Sequence, residues 1–413
     1  MGTDPAAGRA DERADGGAGM RPWRFVVWFG TVSLLADFVY EGARSITGPL
    51  LASLGATATV VGVVTGAGEA AALVPRLLSG PLADRTGRYW ALAIGGYVLT
   101  VAAVPLLGVV GSLGAACVLV IAERVGKAIR SPAKDTLLSH ATAATGRGRG
   151  FAVHEALDQV GAVLGPLTVA GVLAATGGYG PALGVLAVPG VAMLALLWWL
   201  RTRVPDPSRY ESALLPAAPE PAPEPAPATP VRMPLPRAFW AYAAFTAATM
   251  TGFTTYGVLS FHLVQRHLLP ASAVPVLYAG AMLAGALGSL ATGWLYDRIG
   301  PRTLVVLPVL AAAVPALGFS DAVAAAVAGA LVWGAALGVQ ESTLRAVVAD
   351  LVPAPRRATA YGVFAAVVGA ATLAGGALTG ALYAVSVPVL VVTVVAVQAA
   401  ALLLLVAVRP GRR

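Results

Sequence analysis

The chain has 413 residues, of which 57% are hydrophobic and only 12% are charged. Its mean hydropathy is +0.77, and an ordinary soluble domain carries about 25% charged residues, so the composition excludes a soluble protein. A bilayer span uses about twenty apolar residues, so the apolar residues of this chain are enough for about twelve spans. The single cysteine, Cys117, excludes a disulfide framework, and the net charge of +8 raises the question of which membrane side the arginines occupy.

The first predicted elements follow a polar tail. Residues 1–21 contain no apolar run and are predicted to be a disordered cytoplasmic tail. An apolar run then begins at Phe25, and because no signal-type cleavage site follows it, we expect it to remain as the first span. Five more apolar runs complete a predicted six-helix bundle over 22–202, and they lie at 57–80, 90–110, 113–134, 150–174 and 180–200.

A charged and then proline-rich segment, residues 203–236, separates this bundle from the rest of the chain. Its Pro-Ala-Pro-Glu-Pro repeats around Pro219 to Pro230 favour an extended cytoplasmic linker. Six further apolar runs predict a second bundle over 237–408, followed by a cytoplasmic tail at 409–413. The runs lie at 238–263, 272–294, 302–319, 322–348, 358–383 and 386–407. The sequence thus predicts an all-α membrane protein with 12 transmembrane helices in two pseudo-symmetric six-helix bundles.

Positive charges alternate from loop to loop. Arginine or lysine follows every second predicted span, whereas loops such as 53–59 and 108–114 contain neither, and only the loop with Arg266 departs from the pattern. Short cytoplasmic loops accumulate lysine and arginine. We therefore expect both termini to be cytoplasmic and the protein to lie in the plasma membrane.

The loop after the second span is repeated in the second half. Residues 80–88 read Gly-Pro-Leu-Ala-Asp-Arg-Thr-Gly-Arg, and residues 293–302 read Gly-Trp-Leu-Tyr-Asp-Arg-Ile-Gly-Pro-Arg. The first glycine is expected to let helices approach closely, and the arginines are expected to lie at the lipid headgroups. The aspartate is expected to cap the next helix or to pair with a cation on a neighbouring helix. Two copies about 210 residues apart indicate internal duplication. The residues concerned are Gly80, Asp84, Arg85, Gly87, Arg88, Gly293, Asp297, Arg298, Gly300 and Arg302.

This repeated loop resembles motif A of the major facilitator superfamily, and the resemblance extends over residues 22 to 408. It implies an alternating-access transporter of a small organic solute rather than an enzyme. The sequence contains no Gly-x-x-x-x-Gly-Lys nucleotide loop, so we expect an ion gradient as the energy source and no cofactor. The expected partners are the bilayer and the solute, not nucleic acid, and the expected state is a monomer.

The fifth span contains Gly161, Gly165 and Pro166 in a pattern similar to motif C of the superfamily's exporters. Val169 and Ala170 replace the final glycine pair of that motif. The resemblance implies proton antiport and export, with close helix packing at the glycines and a bend at the proline. A generic small-residue packing face is the alternative.

The first span carries four polar residues on one helical face, because they are spaced i, i+3, i+4 and i+7: Asp37, Tyr40, Glu41 and Arg44. An ionisable group in hydrocarbon costs about 2.5 to 3.5 kcal/mol on insertion scales, so this face must turn inward. At 1.5 Å per residue, Asp37 and Glu41 lie about 18 and 24 Å along the helix. We predict them as proton sites; an intrahelical network that neutralises itself is the alternative.

The fourth span places Arg124 and Lys127 at about the same depth. The segment Glu123-Arg124-Val-Gly126 is similar to motif B, and by that resemblance Arg124 tunes a proton-carrying carboxylate. Burial favours a protonated carboxyl and a nearby cation favours the charged form, so proton and substrate could exclude each other. Glu69 and Arg76 on the second span could serve the cavity or form a structural pair.

Further charges are predicted at helix ends. His154-Glu155-Ala-Leu-Asp158 is similar to a zinc motif but lacks its second histidine, so no metal site is predicted. Glu155 and Asp158 are expected to pair with Arg130 or Lys134 as gates or locks. On the tenth span, Glu341 and Arg345 form either a self-satisfied pair or part of a gate. Asp350 and Arg357 resemble the superfamily residues that bracket the next loop in inter-helix bridges.

The seventh span offers Phe245, Thr249, Phe253 and Tyr256 on one stripe. Such a stripe suits an amphipathic organic substrate, although it is more often packing, and Phe253 and Tyr256 are predicted to line the cavity. The favoured function is a proton-coupled antiporter that exports this solute. The alternatives are an importer or uniporter of an anionic metabolite, with Arg124, Lys127 and Arg44 as the anion clamp, and a non-transporting membrane receptor or enzyme.

Overall fold

A computed structural model of the protein describes residues 20–212, 235–353 and 356–407, and the regular elements in these ranges are helical. Most of the predicted N-terminal tail, the proline repeats of the linker and the tail at 409–413 lie outside the described residues. We call 20–212 the first half and 235–407 the second half.

The helices of the first half follow the predicted runs with three differences. The second span is divided at Val74–Pro75 and the sixth at Val185–Leu186, and the fourth continues to Thr145, well beyond its predicted end at 134. The helices are α1 (Pro22–Ser53), α2 (Ala58–Leu73), α3 (Arg76–Thr86), α4 (Tyr89–Leu107), α5 (Leu113–Thr145), α6 (Arg147–Thr176), α7 (Tyr179–Gly184), α8 (Ala187–Arg203) and α9 (Ser208–Ser212).

The second half differs most from prediction at its first span. The seventh run is not one helix, because the chain unwinds at residues 252–255 and resumes as a second helix. The elements are α10 (Arg237–Thr251), α11 (Tyr256–Gln265), α12 (Ala273–Ile299), the 3-10 helix η1 (Gly300–Val305), α13 (Val306–Gly318), α14 (Val323–Leu351), α15 (Arg357–Val385) and α16 (Val387–Ala407).

Nine stretches of the described ranges are helical, long and apolar enough to cross a membrane. One of them, Ala273–Gly318, has 46 residues and contains both α12 and α13, which adds a crossing. The charged α5 and the interrupted pair α10 and α11 supply the remaining two. The prediction of twelve transmembrane helices in two six-helix bundles is therefore confirmed.

Glycines set the closest helix contacts within each half. A Cβ on Gly161 or Gly165 of α6 would collide with the α1 backbone at Leu34 or Phe38, so these glycines allow the packing expected of the motif C pattern. In the second half, Gly334 of α14 meets the α12 backbone in the same way. The helix α6 continues through Pro166 to Thr176.

The two halves touch most closely at the end of the molecule opposite the termini. The main contacts between them are α2 with α15, α6 with α12 and α1 with α11. Gly62 lies against the backbone of Gly376, and Thr59 donates a hydrogen bond of 3.4 Å to the Gly380 carbonyl. A Cβ on Gly48 would collide with Gly257. Side chains therefore have little room between the halves at this end.

The predicted linker begins too early. The short helix α9 lies inside residues 203–236, yet it packs on the first half: Tyr210 donates a hydrogen bond of 2.7 Å to the Met20 carbonyl. Glu211 lies 2.8 Å from His140 of α5. Residues 208–212 thus belong to the first half rather than to an extended linker.

Candidate functional site

A cavity lies between the halves and is lined by residues of both. Its two walls differ in chemistry. The charged lining residues all come from the first half, where they lie beside apolar ones, and the second half contributes mainly aromatic and uncharged polar groups. Principal lining residues are Tyr40, Arg44, Glu69, Glu123 and Arg124 on one side, and Phe253, Thr254, Tyr256, Trp333 and Gln340 on the other.

The charged wall is a network centred on Glu69. One of its carboxylate oxygens accepts a hydrogen bond of 2.8 Å from Arg44 and lies 3.6 Å from Arg124. Arg124 also pairs with Glu123 at 3.2 Å. Each cation thus has a carboxylate partner, which lowers the cost of holding it inside the membrane.

Tyr40 joins the cations to each other. Its hydroxyl accepts hydrogen bonds from Arg124 and, at 3.3 Å, from Arg44. Lys127 lies 3.9 Å and the Arg124 guanidinium 4.4 Å from the centroid of its ring, both in cation–π range. The predicted face of α1 therefore points into the cavity network at Tyr40 and Arg44.

Glu41 connects the two halves. It accepts a hydrogen bond from the Tyr278 hydroxyl of α12 and lies 3.6 Å from Arg44 on its own helix. Glu41 is buried, as is Tyr278. The charge state of one carboxyl is thus linked directly to a contact between the bundles.

The aromatic wall is built around Trp333 of α14. Its ring lies 5.1 Å from Tyr256 and 6.4 Å from Phe253, centroid to centroid. Its Nε1 donates a hydrogen bond of 2.9 Å to the Thr254 carbonyl, which the interrupted helix leaves free. The Arg44 guanidinium lies 6.0 Å from the same ring, so the two walls meet here.

The stripe predicted on the seventh span is wrong as a single helical face. Phe245 packs on Tyr242 in the core, 6.0 Å between ring centroids. Phe253 belongs to the unwound segment and Tyr256 begins α11, and both line the cavity. The break, rather than a helical stripe, places them there.

A second cluster of ionisable groups lies one helical turn from Tyr40 toward the termini. Asp37 of α1 lies within electrostatic reach of Lys127, Glu41, Lys134 and Arg130. Lys134 lies 3.1 Å from His154 and 3.9 Å from Asp158 of α6. The prediction that Asp158 pairs with Lys134 matches this geometry.

Several predicted pairs are not formed in this arrangement. Glu155 is exposed and accepts a hydrogen bond of 3.4 Å from Gln159 rather than from Arg130 or Lys134. Arg130 instead donates to Thr100 at 2.7 Å, because it lies on the α4 side of α5. Arg76 donates to the Ala72 carbonyl at 2.8 Å, whereas Glu69 faces the cavity.

At the end of the second half nearest the termini, Asp350 accepts a hydrogen bond of 2.7 Å from Tyr296 of α12. Arg357 donates to the Val352 carbonyl at 3.1 Å. Both contacts lie within the second half. Glu341 is exposed, and the side chain of Arg345 lies outside what the structure describes, so their predicted pair stays a prediction.

Most of each predicted loop is helical, because residues 80–86 form the end of α3 and residues 293–299 form the end of α12. Gly87 and Gly300 have φ of +60° and +63°, which favours glycine, whereas a Cβ on Gly80 or Gly293 would meet no atom within 4 Å. The expected close approach at these first glycines is therefore wrong. Exposed charged residues of the loops are Asp84, Arg85, Arg88, Asp297, Arg298 and Arg302, of which Asp84 accepts from Tyr89 at 3.4 Å and Arg298 lies over Trp294 at 3.6 Å.

Sequence reasoning assigned no role to Glu123, Tyr278, Trp333 or Gln340. Glu123 directly precedes Arg124, and Trp333 interrupts a run of small residues, so both left a local signal. Tyr278 and Gln340 left none, because their position depends on how the two halves meet.

The chain matches the family model of the Major Facilitator Superfamily over residues 31–320 and 261–413. It is 63% identical over 395 residues to an uncharacterized protein of Mycobacterium tuberculosis, covering 94% of each chain. An uncharacterized MFS-type transporter of Methanocaldococcus jannaschii is 28% identical over 184 residues, 44% of this chain and 46% of that one.

Among solved structures, a mutant of the nucleoside transporter NupG superposes with a TM-score of 0.74 at 12% identity, covering 93% of this chain and 100% of that chain. This likeness shows the fold. The family and the fold agree with the two bundles and the cavity between them. The chain therefore belongs to the major facilitator superfamily and is a multi-pass membrane transporter of a small solute, not an enzyme.

Proposed function

We propose that the protein is a proton-coupled antiporter that exports an amphipathic organic solute by alternating access. The observation that carries the proposal is the position of Glu41. When ionised, it holds Arg44 on its own helix and accepts from Tyr278 on the opposite half. A proton on Glu41 would remove the negative charge that strengthens its hydrogen bond from Tyr278, so proton binding would weaken a contact that the two bundles must break to move.

Charge balance favours antiport over anion binding. The cavity network contains the cations Arg44, Arg124 and Lys127 and, against them, the carboxylates Glu41, Glu69 and Glu123. With all six ionised the network is neutral, so no cation is left over to hold an anion. A proton and a cationic group would each add one positive charge, and each would therefore disfavour the other.

The two walls indicate the substrate class. The rings of Phe253, Tyr256 and Trp333 suit a flat apolar moiety. Two lining residues, Glu123 and Gln340, each have a buried side-chain oxygen without a hydrogen-bond partner among the described residues. A solute with an aromatic ring and a cationic or N–H group complements both features.

Direction and location rest on sequence patterns. Export is proposed from the motif C resemblance at Gly161, Gly165 and Pro166, with the two glycines packed on α1. Cytoplasmic termini and the plasma membrane are proposed from the arginine pattern. We also propose a monomer that uses a proton gradient and neither a cofactor nor nucleic acid.

The test is uptake of three matched indole probes into inverted vesicles with an imposed acidic interior. The probes are N,N,N-trimethyltryptammonium with a fixed positive charge, neutral tryptophol and anionic indole-3-acetate. We expect uptake of the cation that stops when the proton gradient is collapsed, and loss of this coupling in Glu41→Gln. Uptake that ignores the proton gradient would contradict antiport.

An importer or uniporter of an anionic metabolite remains the second candidate, since Arg44, Arg124 and Lys127 converge on Tyr40. It predicts selective uptake of indole-3-acetate, lost on replacing Arg124 by glutamine. The same vesicle experiment thus separates the two candidates.

A further inference from the structure

We propose that Asp158, His154 and Lys134 form a second proton-binding site, separate from the cavity and on its terminus side. None of the three lines the cavity. His154 and Asp158 lie in the early turns of α6, and Asp37, which faces the same cluster, is one helical turn from Tyr40 on α1. The site therefore lies between the terminus-side end of the bundle and the cavity network.

The cluster is built around one atom, the Nε2 nitrogen of His154. Lys134 Nζ lies 3.1 Å from it, Ser33 Oγ 3.3 Å and Asp158 Oδ2 3.5 Å. Lys134 Nζ is also 3.9 Å from the same carboxylate oxygen. The His154 and Asp158 side chains are only 5% and 13% exposed, so water competes weakly for these contacts.

Two buried polar atoms of the cluster, His154 Nδ1 and Asp158 Oδ1, have no hydrogen-bond partner within the ranges that the structure describes. An ammonium group only donates, so Nε2 accepts from Lys134 and the ring hydrogen resides on Nδ1. Unpartnered buried groups are costly and call for an explanation. A site that exchanges a proton accounts for them, since its bonding pattern must differ between two states.

The lone pair of Nε2 can accept one strong hydrogen bond. Without a bound proton, that bond comes from Lys134. With a proton on the Asp158 carboxylate, the new O–H group is already within 3.5 Å of Nε2 and can donate to it in place of Lys134. The proton and the Lys134 ammonium therefore compete for one acceptor, and proton binding releases Lys134 from α6.

The released ammonium has a defined alternative. Asp37 on α1 is already within its electrostatic reach, and exposed Asp135 lies 3.9 Å away. Arg130 is held by Thr100 and the Tyr97 ring, and Lys127 lies over Tyr40. The titratable and charged groups that face Asp158 from the surrounding helices are Asp37, Tyr97, Lys127, Arg130, Lys134, His154 and Glu155.

The role of this site in transport rests on the proposed proton coupling. Proton binding at the site is tested independently of transport. The test is infrared difference spectroscopy of the purified protein between alkaline and acidic pH, following the C=O band of protonated carboxylic acids. We expect one band component to be lost in Asp158→Asn. Lys134→Met should move the midpoint of that component by about one pH unit or more to higher pH, because a competing positive charge is removed.

His154→Leu should move the same midpoint to lower pH, because the protonated carboxyl loses its acceptor and Lys134 turns to the carboxylate. Opposite shifts are not expected of a merely structural cluster. Asp321→Asn, at an exposed carboxylate of the second half that pairs with Arg266, is the control and should leave the component unchanged. If Asp158→Asn does not fold, the two shifts still test the site.

The site is overturned if no component is lost in Asp158→Asn, or if Lys134→Met and His154→Leu shift it in the same direction. If these results hold but vesicle uptake ignores the proton gradient, then the proton site stands and the antiport proposal fails. If uptake follows the gradient and the band is absent, the antiport proposal stands and the second proton site fails.

Discussion

Arg44 on α1 donates a 2.8 Å hydrogen bond to Glu69 on α2, and this pair closes the charged wall of the cavity. The same carboxylate lies 3.6 Å from Arg124 of α5, so one acidic group serves cations from two other helices. Removing one partner of a buried pair is far more costly than removing both, because an uncompensated charge is left behind.

Glu69→Gln should therefore lower the thermal stability of the purified protein, with a loss of about 1 to 3 kcal/mol in the free energy of unfolding, because both side chains of the pair are partly exposed to the cavity. Arg44→Gln should do the same, and the double replacement should cost clearly less than the sum. Glu155→Gln, at an exposed carboxylate, is the control with little effect. Additive losses would show that the two side chains are not coupled.

Gly161→Ala should destabilise the first half, because the new methyl group would collide with the α1 backbone at Leu34. Overpacking of this kind costs about 1 to 3 kcal/mol. Gly171→Ala on the same helix is the matched control, since its Cβ meets no atom within 4 Å. Thermal unfolding of the two variants measures the difference, and equal stability would argue against close packing at this crossing.

The sequence was sufficient for the twelve spans and for the inward face of α1, because hydropathy and helical spacing are local properties. It failed at the end of α5, which continues through Lys134 and Asp135 to Thr145. The mean hydropathy falls where charged residues begin, so the predicted span ended there. The helix itself continues, because lysine and aspartate are compatible with a helical backbone.

The site was harder to predict because its contacts cross from one half to the other. Glu41 is conspicuous in the sequence, but its partner Tyr278 lies 237 residues away in an ordinary apolar run. The unwound segment that positions Phe253 also left no clear pattern, and one continuous helix was expected there. Such features depend on the packing of two bundles, which hydropathy and helical spacing in a single sequence do not reveal.

Trp333→Leu should weaken binding of N,N,N-trimethyltryptammonium by about tenfold, because it removes the ring that packs on Phe253 and Tyr256 and faces Arg44. Trp240→Leu is the control, since Trp240 is exposed on α10. Calorimetric titration of the detergent-solubilised protein measures both. Unchanged affinity in Trp333→Leu would show that the aromatic wall does not bind this ligand.

Docking of α9 should depend on pH at the alkaline end. Burial raises the pKa of Tyr210 from its usual 10 to about 12. Between these values the unfolded state holds fewer protons than the folded state, so stability is full below pH 10 and falls as pH rises toward 12. Tyrosinate absorbance of Tyr210→Phe should lack one group that titrates near pH 12 in the parent protein; an unchanged titration curve near pH 12 would contradict the assignment.

Arg266 is the exception to the arginine pattern, and it forms a bidentate pair with Asp321 at 3.0 and 3.1 Å. Both side chains are exposed, and the partner neutralises the positive charge, so we expect this loop to be extracellular despite its arginine. In a Cys117→Ser background, a membrane-impermeant maleimide should label Gln265→Cys in intact cells. It should label Ser212→Cys, beside α9, only after the membrane is permeabilised. The opposite labelling pattern would reverse the proposed orientation and, with it, the direction of export.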